Sequence, residues 1–287
     1  MKYIGGTSIA AVAGKHPWKS RFDLYQEMIG EMPEVPDNTA MERGRRFEEP
    51  LLQLFLASGA VEPDEYDSNI VVHHPLFPFI GGKPDCVSKN NDWGVEIKTS
   101  DWNTLYTDHC EFGSENDAYV PFHYYAQSML YAGLTGKSRW FLFVGFLEKD
   151  SRGYDKIREC RVYDIPFKEK VYHGMIRKAV EFYKTFVEKR IEPERDRITE
   201  NTLRFINHRF PRKDAVAMSD ADSQAEELAR MINEQKRIEK EAKEERTRLE
   251  AEMKIKIGEN QGLKLANGKA ATWKETANGQ LRLYIPS

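Results

Sequence analysis

Two carboxylates and an amine fall close together in the first half of the chain. Gly82-Lys83-Pro84-Asp85 is followed, after a short polar stretch, by Val95-Glu96-Ile97-Lys98. The intervening residues read as a β-hairpin. If Asn90 and Asn91 form its two-residue turn, where Asn tolerates positive φ, Lys89 pairs with Asp92 and Asp85 with Glu96. Both acids then lie side by side on one face, with Lys98 two residues further along it. Two like charges placed face to face destabilise a strand pair unless a cation lies between them. Hard oxygen ligands of this kind suit Mg2+, with Mn2+ as a substitute, and such an ion activates water and neutralises charge in phosphodiester hydrolysis. Spacing alone leaves a second reading open, a solvent-facing charged face in which Lys98 simply neutralises Glu96.

Two helices are expected to complete the constellation. Thr39 with Glu42 three residues later reads as a capping box opening a helix that ends near Gly59, with Pro50 kinking it. On it Glu48 shares a face with Leu51, Leu52 and Phe55, so its carboxylate should point toward the core, while Glu49 is the plainer surface acid. A second helix starts at Pro121 and stops near Gly136, and there Gln127 and Tyr131 lie one turn apart on one face. By themselves they read better as a satisfied core hydrogen bond. Trp18 could stack on an unpaired base, but a tryptophan between Pro17 and a helix start more often packs against that helix.

The rest of the chain fits a scaffold for such a site. Ser20 with Asp23 caps a short helix from Arg21 to Ile29 that Gly30 stops. Residues 69–97, Trp140 to Leu147 and Glu159 to Phe167 carry strand texture, and Val171, Met175, Ala179, Phe182 and Phe186 recur at helical spacing. Strands flanked by helices predict an α/β nuclease-sized domain over residues 1–212. From Glu226 to Lys256 acidic and basic residues interleave and cancel, with a sparse apolar stripe near 3.5 spacing, so residues 213–257 read as an exposed charged helix with coiled-coil character. Asn267-Gly268 and Asn278-Gly279 punctuate residues 258–287, a small β-rich tail.

Composition removes several classes. A net charge of −3 excludes a wholly basic nucleic-acid binder, so affinity for DNA must come from a local surface. Cys86, Cys110 and Cys160 are odd in number and far apart, which argues against a disulfide framework or a zinc knuckle, and the seven histidines lack ligand spacing. Gly5, Gly6, Thr7 and Ser8 interrupt the apolar stretch that a signal peptide needs, and no run approaches a membrane span. These features point to the cytoplasm and to no membrane partner.

Four segments in order resemble the phage-type exonucleases of the YqaJ and lambda exonuclease family, within the PD-(D/E)XK superfamily. They are Ile4 to Ile9 with Pro17-Trp18-Lys19-Ser20; Arg43-Gly44-Arg45-Arg46-Phe47-Glu48-Glu49-Pro50; Pro84-Asp85 with Glu96-Ile97-Lys98; and Gln127 to Tyr131. The resemblance covers roughly residues 1–190 and implies a restriction-endonuclease-like core, a central mixed sheet flanked by helices. It implies that Asp85, Glu96, the Ile97 carbonyl and Glu48 hold Mg2+, that Lys98 orients or deprotonates the attacking water, and that Gln127 braces the site. Ser8 would contact a 5′-terminal phosphate, with Lys19, Arg43, Arg45 and Tyr131 as further DNA contacts. An arginine that lambda exonuclease places just ahead of its serine segment has no equivalent here. The implied activity is 5′ to 3′ digestion of linear double-stranded DNA, giving single-stranded tails for recombination. A trimeric ring and a single-strand annealing protein are the implied partners. Rival readings are an endonuclease or helicase-linked nuclease of the same superfamily and a non-catalytic DNA-binding recombination module. An iron-sulfur nuclease is excluded for want of four clustered cysteines.

Overall fold

The computed structural model describes every residue except Met1, Pro63, Asn69, 107–111, 114–118, 212–219, Asn267, 276–280 and 286–287, so Cys110, Asn267 and the Asn278-Gly279 turn lie outside the described residues. Two compact units emerge, Met1–Arg212 and Lys213–Ser287. The first begins with α1 (Gly6–Val12), α2 (Arg21–Ile29) and α3 (Thr39–Ala57), followed by short strands β1 (Tyr66–Asp67), β2 (Val72–His73), β3 (Gly81–Gly82) and β4 (Cys86–Ser88). Then come β5 (Trp93–Asp101), a 3-10 turn, α4 (Phe122–Thr135), β6 (Arg139–Lys149), β7 (Asp155–Pro166), α5 (Glu169–Phe182), one turn of π-helix and α6 (Glu200–Arg209).

Five strands in the order β1-β4-β5-β6-β7 form a mixed sheet in which only β5 and β6 run parallel, joined by the crossover helix α4. Covered on both faces, β6 reads Trp-Phe-Leu-Phe-Val-Gly-Phe-Leu, a continuous apolar run buried throughout. Side-chain alternation sends Val95, Ile97, Phe141 and Phe143 against Leu51, Leu52 and Phe55 of α3. The opposite face carries Val87 and Trp140 against α1, α4 and α5. Phe55 is fully buried among Trp93, Phe141 and Phe143, with ring centroids 5.5–5.9 Å apart; such a side chain contributes roughly 1.5–3 kcal/mol.

Helix boundaries largely follow the capping signals. Ser20 and Asp23 form the expected capping box and Gly30 the left-handed stop, while Gly136 ends α4 in the same conformation. α3 differs: Asn38, one residue earlier than expected, accepts from the Met41 N–H as the cap, leaving Thr39 as the first helical residue. The helix continues through Pro50, which leaves the Arg46 carbonyl without its in-helix donor. α1 and α6 were not anticipated. α6 is tied to α2 through buried Asp23, whose carboxylate accepts from the Thr199 and Thr202 hydroxyls at 2.6 Å each.

In the second unit α7 (Ser223–Ile257) is a single helix capped by Asp222 and ended at Gly258. Its charges pair along its own surface, Arg237 with Glu234 and Glu241, Arg248 with Glu245 and Glu252. Strands β8 (Gly262–Lys264), β9 (Ala270–Glu275) and β10 (Leu281–Tyr284) form an antiparallel sheet in the order β10-β9-β8. The helix and the tail, separated in the sequence reading, cluster as one unit. Among the described residues no helix is long and apolar enough to cross a membrane.

Candidate active site

The hairpin β4–β5 pairs Cys86 with Val95 and Val87 with Gly94, a register that carries on to Asp85 opposite Glu96. This is the expected alignment, reached by a different turn: neither Asn90 nor Asn91 has positive φ. Asp64 holds the loop instead. Its carboxylate accepts from the Ser88 hydroxyl, the Asn90 amide at 2.7 Å and the backbone N–H groups of Asn90 and Asn91 at 2.8 and 2.9 Å. These donors, the Ser88 hydroxyl foremost, hold the Asp64 carboxyl well below the usual range.

Glu96 faces α4 and is 2% exposed. Its Oε1 accepts from Lys98 Nζ at 2.5 Å and from Gln127 Nε2, whereas Oε2 is buried with no hydrogen-bond partner among the described residues. Asp85 sits opposite Glu96 in the register, and its Oδ2 accepts from the Ile97 N–H at 2.7 Å. Burial, then the charge of Asp85, pushes the Glu96 carboxyl up to about 8. Burial works against the Lys98 ammonium, but Glu96 and Asp85 more than offset it and hold the group protonated above its ordinary range. Lys98 also donates to the Ile97 carbonyl at 3.1 Å, the atom that the family resemblance makes a metal ligand. A solvent-facing charged strand would leave Glu96 hydrated on both oxygens. The observed carboxylate is enclosed.

Asp85, Ile97 and Lys98 line a cleft of about 1080 Å³ whose other walls include Arg43, Arg45 and Glu48 from α3 and Arg197 and Arg204 from the α6 region. Glu48 is exposed rather than core-facing, because α3 buries only Leu51, Leu52 and Phe55 and its first half borders the cleft. Partial burial, then the charge of Asp85, raises its carboxyl above the usual range, so Glu48 belongs to the same acidic group. Arg43 donates to Asp101 at 2.5 Å and Arg45 makes two bonds to Asp37.

Three other sequence-derived contacts are not on the cleft wall. Ser8 is buried and accepts from Lys19 Nζ at 3.2 Å, and that amine also pairs with Glu27 at 2.8 Å. Tyr131 is 3% exposed and its hydroxyl oxygen accepts from the Lys83 backbone N–H. It fills space that a Cβ at Gly6 or Gly82 would enter at 2.6 and 2.3 Å. Tyr131 therefore packs against Gly6 and Gly82 and braces the β3–Asp85 segment.

Several cleft residues escaped the sequence reading. Arg197, Asn201 and Arg204 come from α6 and the loop before it. The signal available was Thr199 with Thr202, a capping pair without Glu or Gln, ahead of Leu203, Ile206 and Phe210. His16 and His123 lie 5.6 Å apart, and burial lowers both to about 4, helped by each other's charge at His16 and by Lys98 at His123. Trp18 is 63% exposed on the cleft, its ring meeting only the edges of His16 and of His123 at the start of α4 among the described aromatic contacts.

Among the described residues no group of three or more His, Cys, Asp or Glu side chains is gathered closely enough to hold a metal ion, so Asp85, Glu96 and Glu48 do not form a three-carboxylate site in this structure. The donors at hand are the carboxylates of Asp85 and Glu96 and the Ile97 carbonyl, with Glu48 alongside. This set fits a hard ion that binds one or two carboxylates and keeps water or phosphate oxygens elsewhere, and the orphaned Glu96 Oε2 is the atom such an ion would satisfy.

Residues 1–138 match the model of a family described as the YqaJ-like viral recombinase domain, so the resemblance drawn from the sequence holds over that stretch. No curated protein matches the chain. Among solved structures, the chain is similar to the alkaline exonuclease LHK-Exo of Laribacter hongkongensis at 17% identity, covering 66% of this chain and 90% of that one with a TM-score of 0.48. The same enzyme in complex with dAMP gives 17%, 67% and 90% with a TM-score of 0.49. A phage related exonuclease from Haemophilus somnus 129PT is 13% identical over 66% of this chain and 96% of its own, with a TM-score of 0.47.

Proposed function

Taking residues 1–138 as a YqaJ-like viral recombinase domain, we propose that the chain is a metal-dependent DNA exonuclease that digests linear duplex ends 5′ to 3′ and leaves single-stranded tails for phage-type recombination. The observation that carries this reading is the enclosed Glu96, one oxygen unpartnered among the described residues, opposite Asp85, which lines an open cleft. Lys98 meets one oxygen, but leaving the other charged and buried is expensive unless a further cation meets it. Asp85, Glu96 and the Ile97 carbonyl, with Glu48 at the edge, would hold Mg2+ or Mn2+. Bound there, the ion supplies Lewis acidity at the scissile phosphate and lowers the pKa of a water.

The protein side chains divide the remaining work. Gln127 fixes the Glu96 carboxylate through Oε1, leaving Oε2 for the ion. Lys98, kept protonated by its acidic neighbours, orients the water or steadies a phosphoryl oxygen rather than accepting a proton. Arg43, Arg45 and Arg204 line the same cleft and would meet the DNA backbone. The product would carry 5′-phosphates. Assembly as a trimeric ring and cooperation with a single-strand annealing protein belong to the same reading.

The test is digestion of linear duplex with Mg2+ and with chelator, beside closed circular duplex and ends bearing 5′-phosphate or 5′-hydroxyl. Metal-dependent loss of linear DNA alone is expected. Cutting of the circle points to an endonuclease, absence of any hydrolysis to a binding module, and equal digestion of both ends removes the 5′-phosphate preference.

A further inference from the structure

Trp18 combines two properties that rarely occur together: its backbone is pinned and its side chain is uncovered. Arg197 donates to the carbonyls of His16 at 2.5 Å and Lys19 at 3.0 Å, and Asn201 donates to the Trp18 carbonyl at 3.2 Å. The Trp18 N–H donates to His16 Nδ1 at 3.2 Å. His16 and His123 meet the indole at 5.8 and 5.3 Å with interplanar angles of 73° and 75°, so neither covers it by parallel stacking. The ring stays 63% exposed within the cleft that Asp85 and Lys98 line.

An indole held in place yet left in water has already lost much of the freedom that binding would remove. Its flat apolar surface suits a flat apolar partner, and every nucleobase offers one once it leaves the duplex stack. Arg204 reaches the same cleft wall, and its guanidinium bonds to neutral Asn201 at 2.9 Å, so its charge is available to a phosphate next to the stacked base. An aromatic platform beside a cation is the recurrent arrangement for holding a single strand. We propose that Trp18 stacks on an unpaired base of the DNA end at the active site while Arg204 contacts the neighbouring phosphate, so that the strand is held frayed where it is cut. The inference rests on the nuclease reading for its substrate but not for its test.

Binding is measured in chelator, with no hydrolysis, using a single-stranded oligonucleotide and copies carrying one abasic position moved along it. One abasic position is expected to weaken binding to the wild type by roughly 5- to 150-fold, the stacking contribution of a single base. Trp18→Ala should show that loss already with the intact strand and no further loss at that position, whereas Trp18→Phe keeps most of the affinity. Arg204→Gln should weaken all oligonucleotides alike and flatten the salt dependence. An abasic effect equal in Trp18→Ala and wild type, or no abasic effect at any position, overturns the proposal. Thermal melts of the Trp18 variants check that they fold, and Trp18→Leu, which keeps apolar bulk but loses the flat ring and is expected to behave as the alanine variant, takes its place if that one does not fold. If duplex is digested but this coupling is absent, the platform alone falls. If the coupling is present but no metal supports digestion, the nuclease reading falls.

Discussion

The hairpin of β4 and β5 and the long helix α7 use the same charged residue types in opposite ways. Along α7 each Arg finds a Glu three or four positions away in open water, as Arg248 does with Glu245 and Glu252. In the hairpin Glu96 and Lys98 sit beside Asp85 with little solvent, and one carboxylate oxygen has no partner among the described residues. Surface pairs are individually weak and replaceable, whereas a buried, incompletely satisfied carboxylate raises its own pKa and destabilises the metal-free fold. The lesson is that charge density marks solubility in one region, and that enclosure marks chemistry in the other. α7 is far richer in charge, yet the site is elsewhere.

Removing the enclosed charges should have the largest effect. Asp85→Asn and Glu96→Gln are each expected to slow Mg2+-dependent digestion of linear duplex by about a thousandfold or more, because the metal's stabilisation of the transition state is worth several kcal/mol. Glu96→Gln keeps the shape and loses the charge, so its melting temperature in chelator should hold or rise. A wild-type digestion rate in either variant breaks the comparison at its centre.

Gln127→Ala comes next, with a loss of about 10- to 100-fold in rate or metal affinity, the usual consequence of removing a partner that orients a ligand. It should also destabilise the fold by about 1–3 kcal/mol, since Glu96 Oε1 loses a donor in a buried place. Melting and metal titration read the two effects separately.

Acidity sharpens the contrast further. With its pKa raised to about 8, Glu96 keeps a proton in the native state that the unfolded chain has released above about 4.5. Its contribution to metal-free stability therefore falls as pH rises from about 4.5 to 8. His16 and His123, lowered to about 4, act in the other direction and lose stability as pH falls from about 6.5 to 4, so Glu96 is isolated from them between pH 6.5 and 8. Mg2+ competes with the Glu96 proton, so the rise in melting temperature on adding Mg2+ should grow from pH 6.5 to 8. At about a hundred times its dissociation constant the ion should add about 5–10 °C at the upper end. A shift independent of pH removes Glu96 from the ligand set.

The smallest effect is expected in α7. Arg248→Ala should leave the digestion rate unchanged and lower helix content, read by circular dichroism, only slightly, with the difference vanishing in high salt.

Much of the scaffold and the heart of the site were legible because they rest on local chemistry. Ser20 with Asp23 and the two stop glycines Gly30 and Gly136 set helix ends through bonds and φ values that depend on neighbours in sequence. What sequence reading missed depends on distant partners. The hairpin alignment came out as expected although the Asn90-Asn91 turn lacks positive φ, because Asp64, more than twenty residues earlier, fastens the loop. Glu48 obeyed its helical periodicity but met a cleft where a core was expected, since nothing along α3 tells how far the sheet extends beneath it. Trp18 and the arginines of the α6 region became neighbours through Asp23, a link that spans most of the first unit.

Asp64 has a consequence for what lengths of chain this protein can accept. One acid fastens both ends of the bend between Ser88 and Trp93, so an extra residue inserted there cannot be absorbed by simply widening the bend. Any shift of one strand by a single step would send Glu96 to the side now occupied by Val95 and Ile97, among the aromatic rings packed on α3, and turn a branched hydrocarbon toward Gln127. A one-codon insertion in this loop would erase the site without touching any of its residues.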